Sequence, residues 1–501
     1  MSRHVLESRS RRNLFKSAAG MGLAAVFQAW HLREVQAAGS TNLVAGPYGP
    51  VAPTLDLNTG LALLQLPEGF HYRSFSWTGD EMANGQPVPG SHDGMAVVGE
   101  SVVPGVGAAT VLIRNHERGL SSAPIDAPAR YDTALIPPPN GGYPGGGNTY
   151  LVFRGRQWVE TGPALGGTLT NCAGGPTPWG TWLTCEETIT NLESRGGRKH
   201  GYVFEVRPNP QETTGDPIVG MGRMSHEAAA VDPATGIVYL TEDNRNMSGL
   251  YRFIPRDTSG VPGSLENGGD LQAARVKNAQ HADLNVTEPG QEFELEWVDI
   301  ADPDADPGAY SDAVVTPPGT ASGPFLQARG QGALRMARGE GIWYHAGKMF
   351  IVDTASGLDS LNRPGRGEGA VWVLDLNTMR LKALFVSQIA VAGNNPDNIT
   401  VSPRGGVVLC EDGGGVSDAF GFGERMLGLT PSGEPYVFCK NNVNLTAADV
   451  AAAGKVVTPG DYRGREFAGA CFDPKGNVMF ANMQSPGITY AIWGPWARGN
   501  L

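Results

Sequence analysis

The chain has 501 residues, and its 38 basic side chains against 50 acidic ones leave a net charge of −12. That balance argues against nucleic acid as a partner, because phosphate backbones call for clustered Lys and Arg, and it suits hard cations instead. Five cysteines without a CxxC pair exclude a disulfide scaffold and a four-cysteine zinc site, while 70 Gly and 37 Pro without low-complexity tracts indicate a folded protein with many turns.

In chain order, Ser10-Arg11-Arg12-Asn13-Leu14-Phe15-Lys16 fits the twin-arginine export pattern, a weakly apolar stretch runs from Ser17 to Trp30, and Val35-Gln36-Ala37 supplies the small residues of a cleavage site. Residues 1–37 are therefore expected to be a signal peptide handled by the twin-arginine translocase. The mature chain, 38–501, is expected in the periplasm or extracellular space. The apolar stretch is too short and too rich in Gly and Ala for a membrane span, so no stable membrane anchor is expected. Cleavage would leave 32 basic against 48 acidic residues, a net −16.

Beyond this point helical periodicity is scarce and one unit recurs: a Pro/Gly turn, then an apolar strand ending in acids. It spans Pro178–Glu187, Asp232–Asp243 and Ser402–Asp412, with an Asn-ended copy at Asp473–Asn482 and a degenerate one at His345–Asp353. Gly201–Val206, Leu250–Phe253 and Ala370–Asp375 follow as a second strand type. Hairpin units repeated at intervals of tens of residues predict an all-β fold, a β-propeller of six blades with long inter-blade insertions. Residues 256–335, polar and rich in Pro and Asp, are expected to be the largest insertion. A β-sandwich is the competing fold.

In a propeller, equivalent positions of successive blades lie around one channel, so the recurring Glu186/Glu187, Glu242/Asp243 and Glu411/Asp412 are expected to converge there, with Glu227 and Glu340 just ahead of strands. Converging carboxylates repel unless a cation neutralises them, and hard oxygen donors suit calcium or trivalent iron. Cys172 lies in a small-residue loop, Gly166–Gly175, where a ligand or a nucleophile is one reading and a buried thiol the other. Cys185, Cys410 and Cys471 sit inside apolar strands, the usual place for a structural thiol.

Asn115-His116-Glu117, the block from Gly167 through Asn171-Cys172 and Thr177-Pro178-Trp179-Gly180 to Cys185-Glu186-Glu187, Ser225-His226-Glu227, Arg338-Gly339-Glu340-Gly341, Asn395-Pro396-Asp397-Asn398 and Cys410-Glu411-Asp412-Gly413 occur in that order. Together they resemble the PhoX-type secreted alkaline phosphatases. The resemblance implies a six-bladed propeller hydrolysing small phosphate monoesters through a cluster of iron(III) and calcium. It implies Cys172, Glu186, Glu187, Glu227, Glu340, Asp397 and Glu411 as metal ligands, Arg338 as a phosphate contact, and Asn115 as a second phosphate or metal contact. The protein is expected to act as a monomer. A calcium-dependent propeller lactonase or phosphotriesterase and a non-catalytic calcium-stabilised binding module remain the alternatives. Cys172 with iron separates the phosphatase from the calcium hydrolase, and turnover separates it from the binding module.

Overall fold

The structure is a computed structural model that describes residues 7–8, 40–103 and 107–501; the twin-arginine motif and the expected cleavage site lie outside the described residues. The fold is all-β and propeller-like. Among the described residues the α-helices are the short Gly323–Gly330 and Ala447–Ala452, and no helix is long and apolar enough to cross a membrane.

Antiparallel strands build each sheet outward from one inner strand. His92–Val103 leads Gly107–His116, Gly146–Arg154 and Gln157–Thr168, and Asn171–Pro176 leads Trp182–Glu186 and Val203–Val206. His226–Val231 leads Val238–Glu242, Leu250–Pro255 and Gly269–Val276, while Gly339–His345 leads Lys348–Asp353, Ala370–Asp375 and Arg380–Val386. Pro396–Val401 leads Val407–Glu411, Arg425–Leu429 and Pro435–Asn441. Phe467–Phe472 leads Met479–Met483 and Ile488–Trp493, and the early strand His71–Phe75 completes this last sheet, tying the two ends of the fold together. Each inner strand packs beside the next and Phe467–Phe472 returns to His92–Val103, so the inner strands form a closed ring.

Two expectations need correction. Residues 256–335 are not one insertion, because Gly269–Val276 and Glu292–Asp299 are strands of the sheets. Glu292–Asp299 also pairs with Arg380–Val386, which fuses two of the units into one nine-stranded sheet; hydrogen bonding alone therefore does not divide the molecule into six separate blades.

The inner strands read as apolar runs because both of their faces are covered by neighbouring sheets. One core cluster joins Val97, Leu112 and Leu165 of the first sheet to Trp182, Phe204 and Val206 of the second and to Phe480 of the last. Every inner strand carries an irregularity at the same place: His92/Met95, Asn171/Gly174, His226/Ala229, Gly339/Ile342, Pro396/Ile399 and Ala468/Cys471. One extra residue there forms a bulge that turns the start of the strand towards the ring axis.

Opposite the bulged residues, at the end of the second strands, stand His116, Glu186, Glu242, Asp353, Glu411 and Asn482. These are buried and internally bonded. Glu186 accepts from the backbone N–H groups of Leu169, Gly201 and Tyr202 and meets His200 Nδ1 at 2.6 Å. Glu242 accepts from Tyr251 and Ser322, and Glu411 takes a bidentate pair of 2.7 Å bonds from the buried Arg425. Each carboxylate clamps its own sheet. Burial alone would lower the pKa of His200, but Glu186 and Asp132 outweigh it and raise it to about 9. A histidine raised in the folded state stabilises fully below its unfolded pKa and loses that contribution as pH climbs through the folded value. Denaturant titrations should therefore show stability falling by up to roughly 3 kcal/mol between pH 6.5 and 9, and His200→Gln should flatten that slope. An equal slope in the variant would rule out His200 as its source.

Candidate metal centre

The residue after each bulge-opening position points to the axis. In order these are Asp93, Cys172, Glu227, Glu340, Asp397 and Gly469. Five of them carry a ligating group. Gly469 cannot, for its φ is +60° and a Cβ there would lie 2.6 Å from the carbonyl oxygen of Asp93. A second tier comes from the residues just past these second-strand ends, including Glu117, Glu187, Asp243 and Asp412, together with Glu466 ahead of the last inner strand.

The ligating atoms form three groups, each within 4.8 Å of one another: Cys172, Glu187 and Glu227; Glu227, Glu340 and Asp397; and Asp93, Glu117 and Glu466. Glu227 belongs to two of them. It is fully buried, and neither carboxylate oxygen has a hydrogen-bond partner. Burial, then the neighbouring Glu340, Asp397 and Glu187, push its pKa well up. Burial and adjacent acids likewise raise Glu340, Glu187, Asp93 and Glu466, and bring Glu117 and Asp397 to about 7. The Cys172 thiol is raised by burial and by Asp93, Glu227 and Glu187. So many acids facing one another without cations is an unfavourable arrangement. The donor set fits the expected metals: carboxylate oxygens in number suit calcium and iron(III), and one thiolate adds a softer ligand that iron accepts.

Arg338 lies against this centre. Its Nε donates to Asp243 Oδ1 at 2.7 Å and its Nη2 to Asp243 Oδ2, and Nη2 also lies 3.1 Å from Glu340 Oε1. Burial would lower its pKa, but Glu340 and Asp243 outweigh this and raise it. Its backbone N–H donates to Asp353 Oδ1 at 3.0 Å, which anchors the main chain from which the side chain extends.

The structure thus gathers Cys172, Glu187, Glu227, Glu340 and Asp397, with Arg338 at their edge. It does not bring in the other three candidates. Glu186 and Glu411 are the clamping acids described above. They precede Glu187 and Asp412 directly, and successive residues of a strand point to opposite faces, so both members of such a pair cannot reach one ion. Asn115 is wholly buried: its Nδ2 donates to the carbonyls of Cys172 and Ala173 at 2.8 and 2.7 Å, and its Oδ1 accepts from Asn148, Trp182 and Thr184. It fixes the backbone of Cys172 and is not placed to touch phosphate. The sequence reading does not name Asp93, Glu117 or Glu466 as ligands, although Glu117 lies in the Asn115-His116-Glu117 motif. Ser91-His92-Asp93 repeats the Ser225-His226-Glu227 pattern and could have revealed the first; Glu466 has no comparable signal.

A cavity of about 570 Å³ opens at the other end of the inner strands, lined by Pro176, Trp343, His345, Pro403 and Phe472. It is mainly apolar and contains none of the clustered acids.

A family model described as alkaline phosphatase PhoX matches residues 46–136 and 143–487. The chain belongs to the alkaline phosphatase PhoX family. As a member it is a phosphoric monoester hydrolase. Among solved structures, Pseudomonas fluorescens PhoX in complex with vanadate, a transition state analogue, is similar at a TM-score of 0.61 and 18% identity, covering 92% of this chain and 99% of that one; at that identity the likeness speaks for the fold. XC5397 from Xanthomonas campestris, a gluconolactonase, aligns at a TM-score of 0.34 and 11% identity over 89% of this chain and 98% of that one, too weakly to carry an argument. No curated protein matches the chain.

If Glu227 bridges bound cations, Glu227→Gln should weaken metal binding by more than about tenfold, read by elemental analysis after dialysis. Chelation should lower the melting temperature of the wild type and affect the variant less. An unchanged metal content in the variant would remove Glu227 from the centre.

Proposed function

We propose that the chain is an exported phosphomonoesterase that holds iron(III) and calcium on the ring of axis-facing acids and Cys172, in a propeller whose inner strands count as six blades. The ligand set in this reading is Cys172, Glu187, Glu227, Glu340 and Asp397, extended by Asp93, Glu117 and Glu466. The observation that carries it is Glu227, a buried carboxylate with both oxygens unpartnered between two groups of anionic donors, in a chain of the PhoX family. The twin-arginine translocase would deliver it to the periplasm or extracellular space, where it would act as a monomer on small phosphate esters.

Bound cations would neutralise the non-bridging oxygens of the ester and lower the pKa of the attacking water. The protein's own side chains do the positioning. Arg338 presents its remaining guanidinium edge to the phosphate, and charge-assisted hydrogen bonds from it strengthen as negative charge gathers on those oxygens. Asp243 is a positioning residue, holding Nε and Nη2 so that this edge keeps one direction. Asn115 ties the Cys172 backbone to the second strand of the neighbouring sheet. No Ser or Thr nucleophile is required.

Mature protein loaded with iron and calcium should hydrolyse p-nitrophenyl phosphate at alkaline pH. Cys172→Ala should lose iron and reduce turnover by more than about a hundredfold, beyond the usual effect of an outer-shell change. Calcium without iron, no phosphatase turnover and activity on lactones would overturn the reading in favour of a calcium hydrolase. A second variant, Arg338→Lys, should keep the metals yet raise KM and lower kcat by about tenfold each, because a point charge cannot replace a planar fork.

A further inference from the structure

Four of the six second-strand ends are carboxylates that clamp their own sheets: Glu186, Glu242, Asp353 and Glu411. The other two, His116 and Asn482, belong to the first and last sheets, the pair that must meet for the ring to close. Between them lies Arg114, a wholly buried guanidinium. Its Nη2 donates to Thr149 Oγ1 and Ser76 Oγ, each at 3.0 Å, and its Nη1 to Thr489 Oγ1 at 2.6 Å and His92 Nδ1 at 3.2 Å. None of these partners is a carboxylate. His92 turns its other nitrogen, Nε2, to the Pro89 carbonyl at 2.9 Å, so Nδ1 is the bare acceptor that a guanidinium requires. His116 joins the same network through Nε2, 3.0 Å from Thr149 Oγ1. A buried guanidinium without a carboxylate partner is costly, and stability alone gives no reason to place one there.

The contacts run on to the axis. Thr489, on the strand Ile488–Trp493 of the last sheet, donates its hydroxyl to Asn482 Oδ1 at 2.6 Å, and Asn482 Nδ2 donates to the backbone carbonyl of Asp93 at 2.6 Å. One line of hydrogen bonds thus leaves Arg114 on the first sheet, crosses the last sheet and returns to the axis-facing Asp93. Gln484 makes a second link across the seam. Its Nε2 donates to Glu117 Oε2 at 2.7 Å, its N–H donates to the Glu466 carbonyl at 3.2 Å, and its own carbonyl accepts from the His92 N–H at 3.3 Å. All three members of one donor group, Asp93, Glu117 and Glu466, are therefore tied to the place where the ring closes. That group contains no thiol, and oxygen donors alone suit calcium.

We propose that Arg114, acting through Thr489 and Asn482, is a positioning residue for the Asp93, Glu117 and Glu466 group, so that closing the ring and holding a calcium ion there are coupled. The proposal rests on the metal-centre reading above. Three carboxylates with ligating atoms within 4.8 Å of one another repel, and a lock on the Asp93 backbone keeps them assembled for the cation. Within a single sheet, strand pairing would do this work. Here the donors come from opposite ends of the chain, so side chains that cross the seam must do it instead. A bound calcium ion bridges the same seam, and the coupling is reciprocal: each event favours the other to the same extent.

The test uses Thr489→Val, which removes the relaying hydroxyl and keeps its shape, Thr489→Ser, which restores the hydroxyl, and Arg114→Lys. Each is compared with wild type by elemental analysis after equilibration at graded free calcium, and by melting temperature with calcium and with chelator. We expect Thr489→Val and Arg114→Lys to need about tenfold more free calcium to reach the wild-type calcium content, the size of an outer-shell effect. Thr489→Ser should stay within about twofold of wild type, and all variants should keep their iron. The rise in melting temperature on adding calcium should shrink in Thr489→Val, a change that a purely structural role would not produce. Wild-type calcium affinity in Thr489→Val would overturn the proposal. Equal losses of calcium and iron, the sign of general loosening, or a Thr489→Ser variant as weak as Thr489→Val, would overturn it too. If Arg114→Lys does not fold, the two Thr489 variants decide alone. Wild type that retains no cation would refute the metal-centre reading, and this proposal with it.

Discussion

Glu227 is buried with both carboxylate oxygens unpartnered, between Cys172 and Glu187 on one side and Glu340 and Asp397 on the other. An uncompensated charge at such a depth costs several kcal/mol, and more when its neighbours carry the same sign. Cations resolve that conflict, and the rest of the molecule is arranged around the place where they would sit. The inner strands converge there, the bulges turn their first residues inward, and the chain ends are joined in one sheet so that the ring stays closed.

The arrangement separates two jobs between adjacent residues. At four of the second-strand ends, those before Glu117, Glu187, Asp243 and Asp412, one residue faces into its own sheet and the next faces the axis. Glu186 is saturated by three backbone N–H groups and His200, whereas Glu187 joins Cys172 and Glu227. Glu411 is neutralised by Arg425, whereas Asp412 lies in the field of Glu466 and Asp397. A carboxylate clamp of the first kind keeps the strand end rigid, and rigidity is what lets an axis-facing donor hold its position despite repulsion. The departures from symmetry are equally specific. Gly469 occupies an axis-facing position because the Asp93 backbone passes too close for a side chain, and Glu466, three residues earlier, supplies the acid on that side.

Arginine enters where the acids alone would repel a phosphate. Arg338 is fixed by Asp243 and by the carboxylate of Asp353 through its backbone, so its orientation does not depend on substrate. In the proposed mechanism a donor held this way needs no reorganisation when charge develops on the phosphate.

Much of this was written in the sequence. The repeated Pro/Gly turn and apolar strand announced radial repetition, and the order of motifs from Asn115 to Asp412 identified the family, because both depend on short stretches whose chemistry is local. Cys172, Glu187, Glu227, Glu340, Asp397 and Arg338 were legible for the same reason. The sequence could not say which acid of each Glu-Glu or Glu-Asp pair faces the axis, since that depends on strand register and on a bulge that shifts it by one residue. Nor could it reveal that Asn115 is consumed by the backbone of Cys172, fifty-seven positions away, or that Asp93 and Glu466, from opposite ends of the chain, stand beside Glu117. Packing of neighbouring sheets decided the Asn115 contact, and only closure of the ring decided the last, because closure alone brings the first inner strand against the final one.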